Sequence, residues 1–339
     1  MRWDHVYFAG AAFALGEQVP VQDAVDAGRY TREEADRSGQ RTVTIAPPGV
    51  TGLDLAVSAG RVALKRSGVD SGNVGMVTFS PLASAQMEMW NSGSFVQREL
   101  GITARVALPA EIRSCCGGGL ASLHLAAFVV SADDQIPAAL ITAGDVFPDE
   151  IADRWSTPGV VLGDGGSAVV LSREAGFARL LSSAVISDAE LEPMHRGDHW
   201  GVNTFPVDLR PRVKGFLRSS MPLGEVTARR AAGMRDSVDA ALHAAGVSLS
   251  DVAFVVYSNI ALPQLEAECL TPLGITVQRT TWDFGRRTGH MGAADPFAAV
   301  AHLVESRRAL PGDLFLLAGG GGGYVWVTVV GQVLEVPSW

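Results

Sequence analysis

The chain has 339 residues, enough for about two domains at ~150 residues each. Hydrophobic residues make up 47% and charged residues 19%, so it can bury a large core and is not a disordered chain. A net charge of −9 argues against a nucleic-acid surface or a polybasic membrane face.

In chain order, Val6 to Leu15 alternates like a strand, and Asp4 spoils the positive stretch that a signal peptide needs. No apolar run free of glycine and charge approaches the ~18 residues of a membrane helix. The expectation is a cytoplasmic protein with no membrane and no nucleic-acid partner. Cys115, Cys116 and Cys269 form no disulfide framework, and no cysteine or histidine cluster has zinc-ligand spacing, so no metal is expected.

Residues 61–80 (RVALKRSGVDSGNVGMVTFS) match residues 239–258 (DAALHAAGVSLSDVAFVVYS) at an offset of 178. Each copy reads as a helix, a short turn and an apolar strand. The same offset sets His124-Leu125 on His302-Leu303, inside a second pair of helices that lead into strands at 138–143 and 313–318. Fully apolar strands alternating with helices make buried, largely parallel sheets. The expected architecture is two similar α/β halves, 1–175 and 176–339, packed around a pseudo-two-fold axis. Residues 17–50 and 188–235 fit neither repeat and read as insertions, where substrate contacts tend to lie.

Three segments carry chemistry. Cys116 stands before Gly117-Gly118-Gly119 and an apolar helix, so the positive end of the helix dipole favours its thiolate. The plainer reading is a small buried hydrophobe. His290 lies between Gly289 and Gly292, ahead of Asp295-Pro296 and a helix. Asp295 fits a helix N-cap, and equally a carboxylate that orients His290 in a nucleophile–base–acid set. The run Gly319 to Gly323 lacks the lysine and helix of a phosphate loop, and a tight turn there can aim a backbone N–H into a cavity. His124, His243 and His302 sit on apolar helix faces and read as structural. His195 and His199 are candidate pocket residues. Arg229 and Arg230, with Arg210, Arg212, Lys214, Arg218 and Arg235, supply either a carrier-docking patch or a solvated helix face.

These residues resemble the thiolase-like enzymes, most closely the β-ketoacyl-ACP synthase III branch. Ser114-Cys115-Cys116-Gly117-Gly118 resembles the nucleophile motif of that family, Gly163 to Leu171 its G-D-G-A-G-A-V-V-L, and Gly321 to Trp326 its closing G-G-G-F-T-W. The resemblance implies a thiolase-like fold in a layered α-β-α-β-α arrangement, a homodimer, and Cys116 as nucleophile. One departure bears on mechanism. Ser258 occupies the place of the histidine that condensing members carry, and Gly285 to His290 lacks their later asparagine. Without those donors to the enolate, decarboxylative condensation loses support typically worth ~3–4 kcal/mol for one such group.

What remains, Cys116, His290 and Asp295, resembles a branch of ketosynthase-like acyltransferases of polyketide tailoring, the malonyl-transferring type among them. The expected reaction moves an acyl group from the phosphopantetheine thioester of an acyl carrier protein or CoA, through Cys116, to a hydroxyl of a sugar or polyketide. The Cys116 and Gly323 amides would bind the oxyanion, and His195, Ser258 and Asn259 would contact substrate. No bound cofactor is implied. The alternatives are a synthase III-type condensing enzyme that primes polyketide or fatty-acid synthesis and a non-catalytic carrier-binding subunit.

Overall fold

The computed structural model describes residues 1–83, 87, 89–105, 107–198 and 205–339; His199 and Trp200 lie outside them. Its strands are β1 (Tyr7–Leu15), β2 (Glu17–Pro20), β3 (Thr42–Ile45), β4 (Val74–Ser80), β5 (Leu108–Glu111), β6 (Ala138–Asp145), β7 (Gly165–Ser172), β8 (Ala178–Ser187), β9 (Val252–Val256), β10 (Leu314–Gly321) and β11 (Val325–Val333). Nine form one mixed sheet in the order β5-β4-β6-β7-β1-β8-β11-β10-β9, and β2 pairs with β3 in a small hairpin within the first insertion. From the centre outward, β1, β7, β6 and β4 mirror β8, β11, β10 and β9. The two sides join through a short β1–β8 ladder, Tyr7–Arg179 and Phe8–Ala178, continued by the Arg2–Ser182 bridge. The 175/176 junction falls in the turn between β7 and β8.

Helices repeat as the strands do. Gly52–Ser67 precedes β4 as Leu223–Ala245 precedes β9, and Gly118–Ala132 precedes β6 as Asp295–Glu305 precedes β10. Thr51 and Asp54 start the first of these with a capping box, and Gly68 ends it in the left-handed conformation. Leu223–Ala245 is continuous and buries Val226, Met234, Val238 and Leu242. The second insertion therefore ends near Pro222 rather than at 235, because one apolar stripe carries the helix through the polar arginines.

The strands are apolar on both faces, and the core shows why. Ile141 of β6, Val169 of β7, Leu317 of β10 and Val329 of β11 meet Leu120, Leu123, Phe297 and Leu303 of the two central helices in one cluster. Leu140 and Val170 face outward onto Ala56, Val57 and Ala63 of Gly52–Ser67. Leu316 and Val330 face outward onto Met234, Val238 and Ala241 of Leu223–Ala245. Period-two alternation thus feeds two helix layers at once, so that each half of the sheet lies between an outer helix and the central helix pair. The window Cys115–Ala132 is apolar enough by composition to cross a membrane, but Leu120, Leu123, Ala126, Ala127 and Val130 are fully buried within this core.

Candidate active site

The two central helices meet at their N-termini. Gly119 lies so close to the facing segment that a Cβ there would come 2.4 Å from the Ala293 carbonyl oxygen. That approach brings the residues before each helix into one place, where the positive ends of both dipoles converge.

Cys116 Sγ lies 3.0 Å from His290 Nε2, and His290 Nδ1 lies 2.5 Å from Asp295 Oδ2. His290 is 2% exposed and Asp295 is fully buried. Burial opposes the imidazolium, but the neighbouring Cys116 and Asp295 charges outweigh it and raise the His290 pKa well above the ordinary histidine value. Cys116 therefore lies in hydrogen-bond reach of an imidazole whose charged form its surroundings favour, the arrangement of a cysteine nucleophile and its base.

The backbone fixes this geometry. His290 N–H donates to the Val161 carbonyl at 2.8 Å, and its own carbonyl accepts from Gly163 N–H at 3.0 Å. Gly163 must be glycine, since a Cβ would sit 1.9 Å from the Thr288 carbonyl oxygen. The next residue, Asp164, pairs with buried Arg154 at 3.1 Å and accepts from the Ala46 and Phe147 amides. The Gly163–Gly166 motif thus works structurally, by pinning the histidine.

Asp295 is not a helix cap. It occupies the first helical position after Ala294, and its side chain makes no capping bond. Its oxygens instead accept from Asn259 N–H (2.8 Å), Asn259 Nδ2 (3.0 Å), Met291 N–H (2.9 Å) and His290. Asn259, expected to contact substrate, donates its amide to Asp295 and, at 3.0 Å, to Thr288 Oγ1. That positioning role escaped the sequence, because nothing local to Asn259 shows that the Asp295 helix lies opposite. Ser258 is buried beside it, 8% exposed, between Tyr257 and Asn259 in a small cavity also lined by Leu265 and Trp282.

The glycine run is only partly a turn. Gly319 to Gly321 continue β10, paired with Val327, Trp326 and Val325 of β11. The turn itself rests on the nucleophile segment. A Cβ at Gly321 would meet the Ser114 carbonyl at 2.3 Å, and one at Gly322 would lie 3.1 Å from Cys115 Sγ and 2.7 Å from His195 Nδ1. Gly323 follows with open space around it, the place expected of an oxyanion donor. Cys115, not Cys116, takes the left-handed conformation (φ +46°). Burial first, then Cys116, pushes the Cys115 thiol up to about 11, which leaves it protonated.

His195 reaches the site from its own short helix, Pro193–Arg196, with Nε2 3.4 Å from Tyr324 Oη. Burial, then the Arg230 and Arg212 charges, lower its pKa to about 4, so it is a neutral hydrogen-bonding wall. Arg229 and Arg230 do not form an open docking patch. Arg229 pairs with Asp188 and Glu225, both at 3.1 Å. Arg230 pairs with Glu268 and lies over the Tyr324 ring, 5.7 Å from its centroid. Folding neutralises both charges with local carboxylates. A cleft of about 400 Å³ opens beyond His195, lined by Asp198, Asp208, Arg212 and Phe216 among others.

Comparison with known proteins gives the family. The family model for 3-oxoacyl-[acyl-carrier-protein] synthase III matches residues 110–189, and that for its C-terminal region matches 242–333. The β-ketoacyl-[acyl-carrier-protein] synthase III of Roseiflexus castenholzii is 30% identical, covering 95% of this chain and 96% of its own. The fold and site define a thiolase-like enzyme, and the chain belongs to the 3-oxoacyl-[acyl-carrier-protein] synthase III family. Among solved structures it is similar to ChlB3, an acyltransferase, at 32% identity and a TM-score of 0.92, over 98% of this chain and 99% of that one. The synthase III of Aquifex aeolicus shares the fold at 19% identity and a TM-score of 0.78, covering 96% of this chain and 99% of its own.

Proposed function

We propose that this enzyme transfers an intact acyl group from the thioester of an acyl carrier protein or CoA to a hydroxyl of a sugar or polyketide, as in polyketide tailoring. The observation that carries the reading is the buried His290–Asp295 pair, 2.5 Å apart, in hydrogen-bond reach of Cys116. A condensing site needs neutral donors for an enolate; here Ser258 stands in the place of one, and Gly285 to His290 lacks the asparagine that would be the other. The likeness to ChlB3 supports the same reading.

In the first step the Cys116 sulfur attacks the thioester carbonyl, and the Cys116 and Gly323 N–H groups support the oxyanion. The carbon–sulfur bond to the donor breaks, and the departing phosphopantetheine thiolate takes the His290 proton. In the second step neutral His290, oriented by Asp295, removes the proton of the acceptor hydroxyl as its oxygen attacks the acyl carbon. The bond to Cys116 breaks, restoring thiolate and imidazolium. His195 and Tyr324 line the acyl side of the site. Four-residue β5, at the sheet edge with Leu108 53% exposed, is the edge through which a homodimer would pair.

Incubation with a carboxyl-labelled malonyl donor and a hydroxyl acceptor separates the two chemistries. Transfer predicts an ester that retains the label and no labelled carbon dioxide. Labelled carbon dioxide with a β-ketoacyl product would instead establish condensation, the activity named for the Roseiflexus relative.

A further inference from the structure

Three carboxylates are buried where the two halves meet. Asp164 is neutralised by Arg154, and Asp295 by His290. The third, Asp145 at the end of β6, is 3% exposed and has no arginine or lysine paired with it among the described residues. Among the described residues its oxygens accept from backbone N–H groups, those of Leu82 at 2.8 and 3.0 Å and of Ala83 at 2.9 Å. On its other side stands the catalytic turn. Gly292 has φ +63°, and a Cβ there would lie 2.6 Å from Asp145 Oδ2 and 2.8 Å from Leu82 Cβ. Asp145 is therefore wedged between the chain leaving β4 and the turn that carries His290.

A neutral side chain could satisfy the same N–H groups without the penalty of burying an acid. Burial outweighs the Leu82 and Ala83 bonds and the His290 charge, with Asp164 adding to it, and pushes the carboxyl up to about 8. The charged or titratable groups facing it are His290 from the catalytic turn, Asp164 from the approach to β7, and Cys115 from the nucleophile segment.

We propose that Asp145 is a positioning residue acting through His290: it seats the His290–Gly292 turn, and its ionised form supports the imidazolium formed as the acyl group leaves Cys116. The timing of that charge rests on the acyl-transfer reading; the coupling itself does not.

The test uses the full-length enzyme with Cys116 carbamidomethylated by iodoacetamide, a stand-in for the acyl-enzyme that needs no acceptor. The His290 imidazole is followed by NMR of ¹³C-labelled histidine against pH, its signal assigned by its loss in His290→Gln. Asp145→Asn is expected to lower the His290 proton affinity about tenfold, a shift of about one pH unit. A shift under about half a unit would overturn the proposal, because a merely structural residue leaves the titration in place. If Asp145→Asn does not fold, the wild type decides alone. A second inflection of the His290 signal between about pH 7 and 9 is expected, from ionisation of the carboxyl beside it; a single smooth titration contradicts the coupling. Failure to form an ester would leave this titration unaltered, so the two readings can fail separately.

Discussion

His290→Ala is expected to reduce acyl transfer about 10²–10⁴-fold, the range that one general base supplies. The loss should divide unequally between the half-reactions. Acylation slows because Cys116 loses the imidazolium 3.0 Å from its sulfur. Transfer to the hydroxyl slows further, since among the described residues no other side chain hydrogen-bonds to that sulfur, and the neighbouring Cys115 thiol is held protonated. Acyl-enzyme should therefore accumulate in the variant, visible as an added acyl mass that decays far more slowly than in the wild type. Rapid decay of that species would remove the base assignment.

Asp295→Asn should have an effect as large, for a reason visible in its hydrogen bonds. The carboxylate accepts from two groups of Asn259, from Met291 N–H and from His290 Nδ1. An amide in its place presents N–H to at least one of these donors and no longer fixes the imidazole tautomer, a loss worth about 10⁴-fold in triads of this kind. Each buried donor left unsatisfied costs about 1–3 kcal/mol, so stability should fall as well. The variant should also show a lower His290 proton affinity. Without the carboxylate, the imidazolium is lost at lower pH, so acylation, whose leaving thiolate takes the His290 proton, fades as pH rises through that lowered value. Turnover, urea denaturation and the pH profile of acylation check these three consequences. Unchanged turnover would reduce Asp295 to a structural residue.

Much of this architecture was legible because its signals are local. Gly68-Val69 and Gly246-Val247 mark the same helix end in both copies, and left-handed glycines close both helices. His290 stood out because a histidine between glycines has little to pack against. What escaped depends on contacts distant in sequence. Asn259 reads as a pocket residue until Asp295, 36 positions on, folds over it. Arg229 and Arg230 read as a surface patch because their partners Asp188 and Glu268 come from other elements. Asp295 satisfies every local sign of a helix cap, and only the tertiary demand of four donors turns it away. Asp145 is a lone acid after an apolar strand, and nothing in its neighbourhood of sequence announces that Gly292 will rest on it.

Intact-protein and peptide mass spectrometry of the enzyme mixed with an acyl carrier protein charged with a single acyl group addresses the covalent intermediate most directly. The acyl mass should appear on Cys116, be absent from Cys116→Ala, and disappear from the wild type when a hydroxyl acceptor is added. An unlabelled Cys116 in a competent wild-type enzyme, or full transfer by Cys116→Ala, would contradict the mechanism at its first step.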